Sequence, residues 1–263
     1  MQLFISIRPF LLCFPLLLLV TKTTGQTLAG EAKAVPLSDG VTFDVFLVDL
    51  DHADIAFYHQ KENGEKIKNI DNLKRYLQQQ AKRLVFATNG GMYRADHTPT
   101  GLYVENGVAS YPLNMGAGGP DFTNFYHLKP NGVFYLQKNG GYGIISRENY
   151  GQLKGVEFAT QSAPMILING ALNSILNKQS NSKFIRSGVG VAKKNGMMNK
   201  YELVFAISKE PITFYDFARI FKYYGCQEAL YLDGHISEMY VPALQRTTTH
   251  NDFASIIAIT EKL

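Results

Sequence analysis

Ala229–Tyr240 reads A-L-Y-L-D-G-H-I-S-E-M-Y. Its first four residues, Ala229 to Leu232, are apolar or aromatic and form a short buried strand. The strand runs straight into Asp233-Gly234, where the backbone turns beside a residue without a Cβ, so another molecule can come close. His235, Ser237 and Glu238 follow at once. A carboxylate, an imidazole and a hydroxyl therefore share one tight loop behind a rigid strand. Two readings stand side by side here: a loop displaying reactive groups, and an ordinary Asp-Gly hairpin turn.

Working outward, the segment before this strand is helical. Thr213-x-x-Asp216 resembles a capping box, with Asp in place of the longer Glu. Phe214, Phe217, Ile220, Phe221 and Tyr224 fall on one helical face, and Gly225 provides the stop. The same order occurs earlier in the chain. Ile70, Leu73, Leu77 and Leu84 repeat at helical spacing behind Asn69 or Asp71 as N-cap, which predicts a helix over Asn69–Lys82. Leu84–Thr88 then reads as a buried strand ending at Asn89-Gly90-Gly91. If the two strands are neighbours in one sheet, their loops face a common cleft.

Val41–Leu50 reads as a further strand with Ile55–Tyr58 as its partner. Between residues 101 and 208 the Asn-Gly pairs at 106–107, 131–132, 139–140, 169–170 and 195–196 mark hairpin turns, because both residues tolerate positive φ. Leu102–Glu105, Val133–Leu136 and Met165–Ile168 are then hairpin arms, and the glycine-rich 116–120 is a loop. No fixed repeat period argues for a propeller or solenoid. The expected fold is α+β: a mixed, largely antiparallel sheet with many hairpins and a few flanking helices, in one domain over residues 26–263.

Composition narrows the function classes. The chain has 263 residues, 46% hydrophobic and 18% charged, with Tyr and Phe but no Trp, which is the composition of a globular protein. Arg8 followed by the apolar run Phe10–Val20 and the small residues Thr23-Thr24-Gly25 has the form of a cleavable leader, and the run is shorter than a membrane span of roughly 20 residues. Residues 1–25 are accordingly expected to be a signal peptide, and the protein secreted or periplasmic. Without them the formal charge falls from +4 to about +2 and no basic patch remains, which excludes nucleic acid as the expected partner. Only Cys226 survives of the two cysteines, and its place before a buried strand reads as a packed thiol. Asp49, Asp51, His52 and Asp54 cluster in a connection, but at spacings that fit no metal-ligand pattern.

Four groups can carry chemistry. Asn89 heads a double glycine whose N–H groups can approach an oxyanion. Arg186, beside Ser187-Gly188, has the planar donor fork that suits phosphate. Gln161-Ser162-Ala163-Pro164 enters a strand with polar side chains. Asp233 is the fourth. No nucleophile elbow, zinc-protease helix or phosphate-binding P-loop is present.

Five segments together resemble the phosphodiester glycosidase family: T-N-G-G-M-Y at 88–93, A-T-Q-S-A-P-M at 159–165, R-S-G-V-G-V at 186–191, F-Y-D-F-A-R-I-F at 214–221 and A-L-Y-L-D-G at 229–234. Their order and approximate spacing match over about Leu84 to Met239. The resemblance carries site roles onto Asn89, Gly90, Gly91, Arg186, Asp233, Gly234 and Ser237, with Ser162 and His235 as further substrate-binding candidates. The chain departs from the pattern at His235-Ile236, where family members commonly have glycines, and at Ala163, where glycine is usual. A bulkier loop beside Asp233 alters what fits there.

The resemblance implies a secreted hydrolase that breaks a sugar-1-phosphodiester bond, with N-acetylglucosamine-1-phosphodiester as one such substrate. Phosphate leaves well, so the demands are charge stabilisation at phosphate and support of an oxocarbenium-like carbon. Arg186 and the Asn89-Gly90-Gly91 amides are expected to hold the phosphate. Asp233 is expected to hold a sugar hydroxyl or to act at the anomeric carbon as base or nucleophile. Glu105 and Glu238 are the candidates for a second carboxylate. The expected partner is a sugar phosphate or glycan; no cofactor is required, and a divalent metal stays open. Two alternatives remain: a non-catalytic binder of envelope glycan or polysaccharide, and a metal-dependent phosphodiesterase using Asp233, His235 and an aspartate from 49–54.

Overall fold

A computed structural model describes residues 24–116, 127–192, 202–233 and 236–263. In chain order the first strands are β1 (Thr24–Thr27), β2 (Gly30–Pro36), β3 (Thr42–Val48) and β4 (Asp54–Tyr58), followed by helix α1 (Ile70–Gln79). Then come β5 (Lys82–Asn89), β6 (Tyr103–Glu105), β7 (Val108–Tyr111), β8 (Gly132–Gln137), β9 (Tyr142–Ser146) and β10 (Val156–Ser162). The remaining elements are β11 (Met165–Ile168), β12 (Ala171–Leu172), β13 (Ser187–Ala192), β14 (Leu203–Ser208), α2 (Phe214–Tyr223), β15 (Cys226–Tyr231), β16 (Met239–Tyr240) and β17 (Ile256–Lys262).

These strands form three sheets, ordered β1-β2-β3-β14-β13-β15-β11-β12, β7-β6-β10-β8-β9 and β16-β5-β17-β4. Every pairing between named strands is antiparallel, so the expected mixed sheet is antiparallel throughout the described residues. The α+β class holds, with strand predominating.

Three apolar layers follow from strand alternation. Phe46, Phe86 and Phe205 meet between the sheets, with Phe86 centroids 4.8 Å from Phe46 and 4.9 Å from Phe205. Phe57 carries this central core to the five-stranded sheet through Phe134 (5.7 Å) and Phe158 (5.5 Å). On the outer face of the eight-stranded sheet, Phe217, Ile220 and Phe221 of α2 pack against Ala229 and Tyr231. On the outer face of the four-stranded sheet, Ile70, Leu73 and Leu77 of α1 pack against Leu84 and Ala87. Each buried aromatic or aliphatic side chain contributes about 1.5–3 kcal/mol.

Local signals are realised closely. Asn69 caps α1, its side chain accepting from Asn72 N at 2.9 Å. Thr213 Oγ1 accepts from Asp216 N at 3.1 Å. The shorter Asp216 does not reach back to the Thr213 amide and instead takes the Thr213 hydroxyl at 2.8 Å. Gly225 stops the chain after α2 with φ +69°.

Asn106-Gly107, Asn139-Gly140 and Asn169-Gly170 each join two adjacent strands. Asn131-Gly132 does not: Gly132 opens β8, where a Cβ would lie 2.7 Å from Met165 Cγ and 2.8 Å from Leu230 Cδ1. That glycine serves close packing. The 195–196 pair and most of 116–120 lie outside the described residues, as do residues 1–23 of the expected leader; Thr24 and Gly25 begin β1.

β3 is flanked by β2 and β14, whereas the expected partner, β4, pairs with β17. Residues 49–53 carry the chain across the central core into another sheet, where Phe57 is buried.

Candidate active site

The two loops expected to share a cleft come from different sheets. β5 belongs to the four-stranded sheet and β15 to the eight-stranded one, yet their ends meet. Asn89, 1% exposed, makes the junction. Its Oδ1 accepts from Ser187 Oγ at 2.9 Å and from Glu238 N at 3.2 Å. Its Nδ2 donates to Asp233 O at 3.0 Å and Gly90 O at 3.2 Å. Ser237 Oγ lies 3.0 Å from both Ser187 Oγ and Asp233 O, and Thr88 Oγ1 donates to Glu238 O at 2.8 Å. The five-stranded sheet joins through β10, whose Thr160 Oγ1 accepts from Gly91 N at 3.2 Å. Strand ends of all three sheets are thus tied around Asn89.

The amides expected to cradle phosphate are committed elsewhere. Gly90 N donates to Ser255 O at 2.8 Å, and Gly91 N to Thr160 Oγ1. The glycines are needed because the chains touch: a Cβ on Gly90 would stand 2.2 Å from Ser255 Oγ, and one on Gly91 2.2 Å from Gln161 O. The double glycine is a packing device in this fold.

Arg186 also differs from an exposed phosphate grip. It is 0% exposed. Nε donates to Ile212 O at 2.8 Å and Nη2 to Ser182 O at 2.9 Å, and the guanidinium lies 3.7 Å over the Phe214 ring. Small neighbours leave the room that aromatic rings fill. Burial lowers its pKa, opposed by the adjoining Tyr231 hydroxyl, but an arginine stays charged under such a shift. Behind Phe214 lies a cavity of about 210 Å³ lined by His127, Leu128, Ile175, Leu176 and Ser182 among others.

Arg186 and Asp233 nevertheless belong to the same end of two adjacent strands, β13 and β15. Gly188 is paired with Tyr231 and Leu232 N donates to Ser187 O at 3.0 Å, so Arg186 stands one residue before that contact on β13 and Asp233 one residue after it, where Asp233 N turns to Gly90 O at 3.4 Å. Tyr231 senses both: burial pushes its phenol up first, Arg186 draws it down and Asp233 raises it. Tyr93 also feels Asp233, its phenol pushed up to about 12 by burial, then by Asp233 and Asp252.

Ser162 ends β10 fully buried, with no hydrogen-bond partner for its hydroxyl among the described residues. Glu238 is at the junction through its backbone, but its side chain turns away: Oε1 accepts from His250 N at 2.5 Å and Asn251 N at 2.9 Å. Glu105 belongs to another region, accepting from Tyr103 Oη at 2.7 Å and His59 N at 3.2 Å. Gly234 and His235 lie outside the described residues. Asp49 follows β3 at the end of the eight-stranded sheet opposite Ser187, and Asp54 begins β4, whose other end lies level with Asn89. Neither is placed to share a metal with Asp233. Among the described residues no group of three His, Cys, Asp or Glu side chains forms a metal cluster. Ser187, Thr160, Tyr93 and Tyr231 are inconspicuous in the sequence; their signal is position, since each lies inside one of the five segments that carry the family resemblance.

A family model described as phosphodiester glycosidase matches residues 82–259, about two thirds of the chain. The chain belongs to the phosphodiester glycosidase family. The match spans β5 to β17 and so takes in the Asn89 junction, Arg186 and Asp233. Among curated proteins, "uncharacterized protein YigE" of Escherichia coli K12 is 32% identical over 236 residues, 89% of this chain and 88% of that one. The catalytic domain of zebrafish N-acetylglucosamine-1-phosphodiester alpha-N-acetylglucosaminidase, auto-inhibited by its pro-peptide, shares the fold. Its TM-score is 0.58 at 14% identity, over 91% of this chain and 86% of that one. An exported protein of Burkholderia pseudomallei K96243 aligns with a TM-score of 0.51 at 10% identity, covering 84% and 74%.

Proposed function

We propose that this phosphodiester glycosidase family member is a hydrolase of sugar-1-phosphodiesters, acting outside the cytoplasm as its leader-like N-terminus suggests. The observation that carries the proposal is the placement of Asp233: its main chain is held by Asn89 and Ser237, at the same end of the paired strands β13 and β15 as the buried cation Arg186. Asp233 supplies the carboxylate that supports positive charge at the anomeric carbon as the bond to phosphate oxygen breaks. Arg186, held in an aromatic cage of low dielectric, supplies a fixed positive field that favours the departing phosphate. Asn89, Ser187 and Ser237 are positioning residues. The zebrafish enzyme's substrate, an N-acetylglucosamine-1-phosphodiester, is the first to try.

The test is release of free sugar from N-acetylglucosamine-1-phosphodiester, and from glucose- and galactose-1-phosphodiesters, by wild type and by Asp233→Asn. Release by wild type and its loss in the variant support the proposal. Tight binding of the same compounds with no release by wild type would replace it with a glycan-binding role.

A further inference from the structure

A second site lies away from Asp233. Among the described residues β4 closes the four-stranded sheet and pairs on one side only, with β17. Along its other side runs a groove of about 890 Å³, lined by every residue from Asp54 to Glu62. The opposite wall is Glu105 of β6, Val108 and Ser110 of β7, and Glu157 and Phe158 of β10. Val108 is 64% exposed, an apolar side chain facing this groove. An open strand edge beside a cleft is a template for strand addition, and antiparallel proteins ordinarily cover such an edge or guard it with free lysines. Here the two lysines of the groove are neutralised: Lys61 pairs with Glu65 at 2.9 Å and Lys82 with Asp54 at 3.3 Å.

The remaining lining charge is negative. Glu62 accepts from Tyr76 Oη at 2.7 Å, and Glu105 is held by Tyr103 and His59. Burial raises the pKa of Glu105, and the charge of Glu62 raises it further. The Tyr58 phenol is raised by burial and then by Asp54, Glu105 and Tyr76, which places two rings and two carboxylates within one electrostatic neighbourhood. Aromatic faces beside carboxylates suit an ammonium or guanidinium group.

We propose that this groove binds an extended, basic polypeptide segment, which adds as a strand to the free edge of β4 and lays Lys or Arg side chains against Glu62 and Glu105. The free backbone edge selects a peptide over a free amine. The five residues of β4 offer about 17 Å of edge, enough for five or so ligand residues.

The test uses the purified full chain and capped peptides of about seven residues alternating Lys with Val. Fluorescence anisotropy and amide NMR shifts read binding and its place. The expected result is a Kd in the micromolar range, about −8 kcal/mol by conversion, with shifts centred on Asp54–Tyr58. Exchanging Lys for Glu, or breaking the strand with Pro at unchanged charge, weakens binding at least tenfold. The Glu62→Gln/Glu105→Gln protein also binds at least tenfold more weakly at unchanged Tm. If that variant is unfolded, Glu62→Lys, an exposed change, must show the same loss. No binding at about 1 mM, equal binding of the Pro peptide, or shifts away from β4 overturns the proposal. So does concentration-dependent dimerisation through β4 that the basic peptide fails to reverse.

Discussion

Replacing Asn89 by Ala tests whether one amide holds the three sheets in register at the site. The side chain makes five hydrogen bonds, to Ser187, Glu238, Asp233, Gly90 and, at 3.4 Å, Thr88, whose hydroxyl is also held by Glu238 O. Ser237 still reaches Ser187 Oγ and Asp233 O, so those two partners each lose one bond of two, about 1 kcal/mol apiece. Glu238 N loses its bond to Asn89 in a buried place, about 1–3 kcal/mol. The loss is therefore roughly 3–5 kcal/mol, a large fraction of a typical stability of about 5–15 kcal/mol. Asn89→Asp keeps Oδ1 but turns a carboxylate oxygen on two carbonyls. It should be as damaging at neutral pH and partly restored in acid, when the carboxyl can donate. Urea unfolding at constant m-value measures both. A loss below about 1 kcal/mol for Asn89→Ala, or an Asn89→Asp protein as stable as wild type at pH 7, refutes the junction as the organising contact.

Three further outcomes are expected. Arg186→Ala should lower turnover at least about a hundredfold, through loss of its buried positive field and not of a donor to the phosphate; a folded variant within about threefold of wild type removes Arg186 from the reaction. Gly91→Ala should destabilise the protein by more than about 2 kcal/mol, because its Cβ would meet Gln161 O and Thr160 Oγ1, whereas an unchanged Tm would mean the strands can part at no cost. Burial raises the folded-state pKa of Glu238 above the ordinary 4.5, so its contribution to stability is present below that value and fades as pH rises through the folded pKa. Denaturation between about pH 4 and 7 should show that slope reduced in Glu238→Gln, and an identical slope in the two proteins would contradict the assignment.

What the sequence disclosed was local. The caps at Asn69 and Thr213, the stop at Gly225 and three Asn-Gly turns are set by neighbours within a few residues, and the structure keeps them. Pairings between distant strands were hidden: alternation in Ile55–Tyr58 suits any partner, and nothing in it names β17. The site shows the same division. Asp233 and Asn89 stood out because a polar residue at the end of a buried strand is conspicuous. Ser187 and Tyr231 did not, since a serine and a buried tyrosine look structural until the chain is folded. The glycines after Asn89 were read as donors to a ligand because the sequence does not show Ser255 and Thr160 waiting for those amides.

The long-range contacts around Asn89 join residues 50 to 150 positions apart in the chain. Closing loops of that length is slow and precedes any reward from the contacts themselves. The Asn89 junction therefore belongs to the late-forming parts of the molecule on refolding, together with the still longer-range pairing of β4 with β17. During renaturation, recovery of any function seated there should lag behind the return of helical and strand signals, so that an assay of it reports completed docking of the sheets.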